Sequence, residues 1–228
     1  MLYTLESVRA NIRNRDGKRV FFLGHEDRLT AAAREFLIEE QIPILPAKDA
    51  KPDVYQLLSG GFVATKPEHM THLHSNVLVA KTHPRIAVRG AMDTLEAELL
   101  LAQLSADVKL RQKLGQVLDF ARILLRNEVL NEPVAETTLC GLDSRQLREH
   151  SHRPQDFYGQ PHFMPSVEDG ACILQMNRAR CAARAAELQA VAAFTDREGN
   201  PTRQDLLEAL NRLSSMIYIL MVQKKAGQ

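Results

Sequence analysis

Residues 92–131 read MDTLEAELLLAQLSADVKLRQKLGQVLDFARILLRNEVLN and decide the fold. Apolar residues recur in this stretch at spacings of three and four, which is typical of helices that bury one face. The interval 105–107 interrupts the pattern, so we expect either one long helix or two helices that break there. The apolar positions that carry the pattern are Leu95, Leu99, Leu100, Leu104, Leu110, Leu114, Val117, Leu118, Ala121 and Leu124.

The remainder of the C-terminal part is also helical in pattern. The apolar spacing predicts one helix from about Val167 to Phe194 and another from about Thr202 to Lys224. Prolines interrupt residues 130–165, so this segment is expected to be loop with one short helix near 143–150. Together these runs predict a helical bundle.

The N-terminal part is mixed in character. The β-rich run KRVFFLG (18–24) predicts a strand, a helical pattern follows from Asp27, and IPIL (42–45) predicts a second strand. Residues 46–90 have little periodicity and many turn-forming residues, which predicts a linker. The expected fold is therefore mainly α, a helical bundle with a small N-terminal α/β appendage, and the expected domains are 1–64 and 65–228.

Composition narrows the functional classes. The chain has 228 residues, with 29 basic and 28 acidic side chains, so its charge gives no reason to expect nucleic acid or an anionic membrane as a partner. Aromatic residues make up only 5%, Trp is absent, and no window resembles a membrane span. Three scattered cysteines suit a reducing compartment, so we expect a cytoplasmic protein.

Arg180, Arg184 and Glu187 are spaced i, i+4 and i+7, which puts them on one face of the predicted helix. Two like charges four residues apart repel unless an anion or a carboxylate compensates them. The face therefore binds an anion, pairs with acids on another helix, or is simply a solvated charged face.

Asn211 and Arg212 lie in the middle of an otherwise apolar helical pattern. A polar group buried there costs roughly 1 to 3 kcal/mol unless it finds a hydrogen-bond partner. One interpretation is a ligand contact, and the other is a hydrogen bond between helices that fixes their register.

Two segments are rich in histidine. His69, His72 and His74 superficially suggest a metal site, but no Cys or suitably spaced carboxylate completes a ligand set. The second segment is a proline-punctuated loop whose composition is typical of a cover for a neighbouring subunit or a planar ligand. Its aromatic and imidazole side chains are His150, His152, Phe157, Tyr158, His162 and Phe163.

Three separated motifs resemble one family in the family's own order. KTHPRIAVRGAMDTLEAEL (81–99) resembles the "DPR…G..DEL" segment of the ATP:corrinoid adenosyltransferases, MNRARCAARAAE (176–187) their "R…R..E" helix, and ALNRLSSMIYIL (209–220) their "LNRLSD.LF" helix. The resemblance covers roughly residues 65–225 and is most similar in character to the ethanolamine-utilisation branch.

The resemblance implies that the 5′-deoxyadenosyl group of ATP is transferred to the cobalt of a reduced corrinoid, cobalamin. Co(I) attacks C5′, triphosphate leaves, and Mg²⁺ accompanies the ATP. By position, Arg184 would stabilise the triphosphate, and Arg180 would pair with Asp93 across a subunit boundary. The residues implied in nucleotide binding, or in holding these arginines, are Lys66, Thr65 and Thr71 of the N-terminal phosphate loop, together with Glu187 and Asn211.

For the corrinoid, the resemblance implies an aromatic side chain that fills the space vacated by the lower axial ligand of cobalt. Phe163 matches that position best, with Phe157 and Tyr158 as rivals. Removing a donor ligand makes Co(II) easier to reduce, because the oxidised metal loses stabilisation.

This chain departs from the family pattern at several positions. The segment 65–71 lacks the two glycines of a "TK.GD.G.T" phosphate loop, and residues 55–64 lack the cysteines of a "CC..C" metal box. We therefore expect no metal besides Mg²⁺. Ala185 and Leu188 replace two further basic positions.

The resemblance also implies a homo-oligomer, as a homotrimer, and delivery of adenosylcobalamin to an ammonia-lyase near a bacterial microcompartment. Two alternatives remain open. One is a corrinoid-binding or delivery protein of the same fold without turnover. The other is an interaction bundle with a docking helix formed by Leu2, Leu5, Val8 and Ile12.

Overall fold

The computed structural model describes residues 2–15, 17–47, 54–136 and 138–228. The chain divides into two compact units, Met1–His83 and Pro84–Gln228. No helix in the described ranges is both long enough and apolar enough to span a bilayer. The predicted domain boundary after residue 64 stays a prediction.

The first half of the N-terminal unit contains the predicted strand, helix and strand. The helix begins only at Ala31, because Thr30 caps it by accepting a hydrogen bond from the Ala33 amide at 3.3 Å. Val8 and Ile12 are buried, so they cannot contribute to a docking face. The elements are β1 (Leu2–Tyr3), α1 (Leu5–Asn11), β2 (Arg13–Arg15), β3 (Lys18–Leu23), β4 (Arg28–Leu29), α2 (Ala31–Glu39) and β5 (Ile44–Pro46).

These strands form two small sheets. β3 is central in one of them, antiparallel to β2 and parallel to β5, and β1 pairs with β4 in parallel. The side chains of Phe21 and Leu37 pack in the core between this sheet and the two helices.

The linker predicted at 46–90 is wrong over most of its length. Residues 55–80 form a four-stranded sheet in the order β7-β6-β9-β8. The strands are so short that their alternation is weak, and Gly60, Gly61 and Ser75 adopt positive φ in the turns between them. Residues 48–53 of the predicted linker lie outside the described residues. The strands are β6 (Tyr55–Leu57), β7 (Phe62–Val63), β8 (Met70–His74) and β9 (Val77–Ala80).

The C-terminal unit is a helical bundle, as predicted. α3 packs along α7, α7 along α8, and α4 against α3 and α8, and their apolar faces form one continuous core. The elements are α3 (Pro84–Leu104), α4 (Val108–Leu130), α5 (Ser144–His152), α6 (Pro154–Tyr158), a 3₁₀ turn (Val167–Asp169), α7 (Gly170–Phe194) and α8 (Gln204–Lys225).

Of the two arrangements expected for residues 92–131, the structure contains two helices, with the break at the expected interval 105–107. Asp107 caps α4 by accepting a hydrogen bond from the Leu110 amide at 3.0 Å, and Lys224 donates to the same carboxylate at 2.9 Å. α3 begins well before Met92, at Pro84, a residue that suits the first turn of a helix. Pro154 likewise begins α6, so the described part of the 130–165 segment holds two helices rather than one.

A buried ion pair joins α3 to α4. The Glu128 carboxylate is 1% exposed and accepts from Arg85 Nε at 2.5 Å and from Arg89 Nε at 2.7 Å. Glu128→Ala is expected to lower the free energy of unfolding by about 3 to 5 kcal/mol, because two largely buried guanidinium groups lose the buried carboxylate that both contact. Urea denaturation measures this difference.

Glu96→Ala is the matched control, because Glu96 pairs with Arg122, whose side chain is 52% exposed. Its expected cost is less than about 1 kcal/mol. Equal losses in the two variants would contradict a special contribution from the buried pair.

Candidate functional site

A cavity of about 270 Å³ lies within the C-terminal unit, between α5, α7, α8 and the segment 159–166. Guanidinium, imidazole, hydroxyl and phenol groups line it, and no carboxylate is among these lining side chains. We call it the arginine cavity. Its lining residues are Ser151, His152, His162, Arg180, Arg184, Ser214, Ser215 and Tyr218.

Two predicted residues, Arg180 and Arg184, lie one turn apart on α7 and both line this cavity. Asn177 Oδ1 accepts from Arg180 Nε at 3.1 Å and from Arg180 Nη2 at 2.9 Å, which orients that guanidinium group. Arg184 is exposed and makes no hydrogen bond or ion pair with any residue that the structure describes. The cavity therefore carries positive charge that the bundle leaves uncompensated.

His162 and Tyr218 form a fixed pair at the edge of the arginine cavity. His162 Nε2 lies 3.1 Å from the His152 carbonyl oxygen, which can only accept, so this nitrogen carries the proton. With a neutral imidazole, the Tyr218 hydroxyl then donates to His162 Nδ1 at 2.8 Å. Burial raises the pKa of Tyr218, so its hydroxyl stays protonated at neutral pH.

Glu187 and Asn211 connect α7 to α8 beside the cavity. Asn211 Nδ2 donates to Glu187 Oε1 at 2.8 Å, and Arg212 Nη1 donates to Asn211 Oδ1 at 2.7 Å. The alternative of a hydrogen bond between helices is thus what the structure contains at Asn211. Arg212 also donates from Nε to Ser144 Oγ at 3.0 Å.

A second cavity of about 710 Å³, the large cavity, lies between α4, α5, the first turns of α8 and residues 134–136 and 138–139. Its floor includes the apolar side chains of Phe120, Leu139 and Leu147. Arg212 and Asp205 lie at its polar edge. Hydrogen bonds from Arg203 and from the Val134 amide lower the pKa of Asp205 to about 2, so its carboxylate anchors the segment that covers this cavity.

Phe163 lines neither cavity. Its ring is half-buried, stacks on Tyr218 with centroids 6.3 Å apart, and has Lys225 Nζ 4.7 Å from its centroid on the α8 side. Its rival Phe157 stacks on His150 at 3.7 Å. The aromatic side chains of this segment therefore hold it against α5 and α8.

The remaining predicted site residues lie away from these cavities' lining. Asp93 is exposed on α3 and makes no ion pair or hydrogen bond within the described ranges. Thr65, Lys66 and Thr71 belong to the N-terminal unit, where Lys66 Nζ donates to the Met70 carbonyl at 3.2 Å. Their roles stay predictions.

Several lining residues were missed by reasoning from the sequence. Ser214, Ser215 and Tyr218 follow Asn211 at three, four and seven positions, so a helical projection centred on Asn211 could have placed them on one face of α8. His152 and His162 were singled out only as members of a segment expected to cover a neighbouring subunit or a planar ligand, because α5, α6 and a loop together bring them to this cavity.

Comparison with known proteins agrees with the sequence motifs. A family model described as cobalamin adenosyltransferase matches residues 62–224, well over half of the chain. The corrinoid adenosyltransferase EutT of Salmonella typhimurium is 28% identical over 94% of this chain and 89% of its own length. EutT of Escherichia coli K12 is 29% identical over the same shares.

Among solved structures, a variant of the PduO-type ATP:corrinoid adenosyltransferase from Lactobacillus reuteri, complexed with cobalamin and ATP, matches with a TM-score of 0.48. It is 16% identical and covers 79% of this chain and 93% of its own. The family model matches more than half of the chain. On that match, the chain belongs to the cobalamin adenosyltransferase family.

Proposed function

We propose that the arginine cavity holds the triphosphate part of ATP during corrinoid adenosylation. The chain is an ATP:corrinoid adenosyltransferase, which transfers the 5′-deoxyadenosyl group of ATP to the cobalt of a reduced corrinoid and releases triphosphate.

One observation carries the proposal: the arginine cavity is lined by donors and cations without a carboxylate, and Arg184 has no partner in the described part of the chain. A departing triphosphate carries about four negative charges, so fixed cations stabilise it most as the C5′–O bond breaks. Ser215 stands where the family motif "LNRLSD.LF" has Asp, which removes one negative charge from this surface.

Co(I) is the nucleophile in this reaction. Its electron pair forms the Co–C5′ bond while the C5′–O electrons leave with the triphosphate, so no proton transfer is required at carbon. The protein's contribution is therefore alignment and charge stabilisation rather than acid–base catalysis. Arg184 supplies charge at the leaving group, and Arg180 supplies it from one helical turn away.

We propose Phe163 as the aromatic residue on the corrinoid side. It stacks on Tyr218, and Tyr218 lines the arginine cavity, so the aromatic ring and the cationic groups are separated by one side chain. The large cavity with Phe120 is the competing apolar surface for the corrinoid.

We propose that Mg²⁺ accompanies the ATP and that the N-terminal phosphate loop, residues 65–71, contributes to nucleotide binding. The lining of the arginine cavity supplies no carboxylate ligand, so a Mg²⁺ ion would be held by phosphate oxygens and water, its usual ligands with nucleotides. Thr65, Lys66 and Thr71 are proposed to contact the nucleotide.

We also propose a homo-oligomer, as a homotrimer, in which Arg180 pairs with Asp93 of another copy. Exposed apolar side chains on α3 and α7 support the proposal that another copy of the chain covers this surface. They are Leu101, Leu104, Leu188 and Val191.

Asp93→Ala is expected to weaken assembly by about tenfold and to lower the rate per subunit in dilute solution, because the intersubunit ion pair is lost. Sedimentation at several concentrations measures the assembly. Asp119→Ala, which removes a carboxylate that is 74% exposed on α4, is the control and should change neither quantity. Normal assembly and rate in the Asp93 variant would contradict the pairing.

The cellular setting is proposed from the branch that the motifs resemble and from the EutT relatives. In this setting, a cytoplasmic enzyme passes adenosylcobalamin to an ammonia-lyase of ethanolamine breakdown, near a bacterial microcompartment.

The test of the proposed function is incubation of the purified protein with ATP and chemically reduced cobalamin. The visible spectrum should change to that of the alkylated corrinoid, with one triphosphate released per product. Binding of both substrates without conversion would favour the delivery protein. Absence of any binding would favour the interaction bundle.

A further inference from the structure

We propose that Arg212 is a positioning residue that keeps Arg184 unpaired. It does so by locking the Asn211 amide, which in turn holds the Glu187 carboxylate towards α8. This inference rests on the proposed function of the arginine cavity, and it adds a residue that does not itself line that cavity.

The hydrogen bonds from Arg212 to Asn211 and from Asn211 to Glu187 allow only one assignment of donors and acceptors. A guanidinium group can only donate, so Asn211 must present Oδ1 to Arg212, at 2.7 Å. An ionised carboxylate can only accept, so Asn211 must present Nδ2 to Glu187, at 2.8 Å. Because the amide has one oxygen and one nitrogen, the two neighbours fix its orientation together.

Arg212 is itself held in place from the far side. Its Nε donates to Ser144 Oγ at 3.0 Å, and Glu208 lies 3.9 Å from the same nitrogen. Its side chain is only 13% exposed. Arg212 therefore cannot swing into solvent without leaving these partners, and the orientation it imposes on Asn211 is persistent.

The contact between Asn211 and Glu187 determines whether Arg184 has an ion-pair partner. Glu187 follows Arg184 by three positions on α7, a spacing at which opposite charges on a helix commonly pair. In the structure Glu187 Oε1 instead accepts from Asn211, while Arg184 has no ion-pair partner among the residues described. Asn211, held by Arg212, thus competes with Arg184 for Glu187, and Arg184 remains available to an anion.

Without Arg212, only Glu187 holds the Asn211 amide, and no second neighbour keeps the amide in the orientation that donates to Glu187. The carboxylate would then be free to rotate along α7 and pair with Arg184. That pair would bring the negative charge of Glu187 against Arg184 and occupy one of the two guanidinium groups of the arginine cavity. Both effects weaken the binding of a polyphosphate.

A double-mutant cycle tests this with inorganic triphosphate as the probe and calorimetry as the readout. Arg212→Met is expected to weaken triphosphate binding about fivefold. Glu187→Gln keeps an acceptor oxygen for Asn211 but removes the charge that competes for Arg184. Combined with Arg212→Met, it should recover most of the lost affinity, and the gain should exceed the gain that it gives in the wild-type background.

If Arg212→Met weakened binding only because it removes a positive charge, the double-mutant cycle would give a different result. In that case, Glu187→Gln would raise affinity by the same factor in both backgrounds, and this outcome would overturn the inference. Arg145→Met removes an arginine that lines the large cavity and is expected to leave triphosphate affinity almost unchanged.

A second variant and a measurement on the wild-type protein complete the test. If Arg212→Met does not fold, Arg212→Lys replaces it, since lysine retains the charge but not the guanidinium geometry, and the same excess gain from Glu187→Gln is expected. Wild-type protein that adenosylates cobalamin but fails to bind triphosphate would contradict the proposed cavity itself. Wild-type binding without coupling would contradict only the role of Arg212.

Discussion

Arg184→Ala is expected to slow adenosylation by about two to three orders of magnitude, the largest effect that we expect from any single substitution. Arg184 is the cation of the arginine cavity that has no partner among the residues that the structure describes, so its charge is available as the triphosphate separates from C5′. The loss should appear mainly in kcat, because the leaving group gains its additional charge only in the transition state. Initial rates with pre-reduced cobalamin and saturating ATP measure it.

Arg178→Ala is the matched control on the same helix. Arg178 is 67% exposed and pairs with Glu98 at 2.5 Å, and it does not line the arginine cavity. Its removal takes away the same charge from α7 and should leave the rate within about a factor of two, as expected for an exposed pair. A nearly unchanged rate in the Arg184 variant would remove that residue from the site.

Phe163→Ala is expected to impair conversion that starts from Co(II) by at least about tenfold more than conversion that starts from pre-reduced Co(I). If the ring fills the space beneath cobalt, its loss lets a lower ligand return and makes Co(II) harder to reduce. Attack by Co(I) that is already formed does not pass through this step. The ratio of the two rates is therefore the measurement.

The packing of Phe163 allows a second explanation for a slower reaction in the Phe163→Ala variant. The ratio of the two rates distinguishes this explanation from a role beneath cobalt. The ring lies between Tyr218 and Lys225, so its removal loosens the segment that closes the arginine cavity. Such loosening would slow both assays equally and would favour the large cavity as the corrinoid surface. Phe157→Ala, which removes the ring stacked on His150, is the control for loss of an aromatic residue from the same segment.

The helical bundle could be predicted because its helices are long and each buries one face. The break at 105–107 was also visible, since Asp107 is a residue that favours the cap of a helix. The sheet of the N-terminal unit was missed because strands as short as Phe62–Val63 give almost no periodic signal. The buried Glu128 pair was missed because its arginines lie 39 and 43 positions away in sequence.

The site could be predicted only in part, because some of its residues share one helix and others come from distant segments of the sequence. Arg180 and Arg184 share one helix, so their spacing alone indicated a common face, and the structure brings both into one cavity. The Asn211 contact with Glu187 spans two helices, and sequence could indicate only that some partner was needed. The histidines of the cavity come from separate segments, and no local pattern indicates which of eight histidines would meet there.

The most direct test of the central claim is a crystal structure of the protein with ATP and a Co(II) corrinoid. We expect the triphosphate oxygens to lie in the arginine cavity, within hydrogen-bond distance of the guanidinium groups of Arg180 and Arg184. A triphosphate bound elsewhere, with both guanidinium groups contacting only water, would contradict the proposed site.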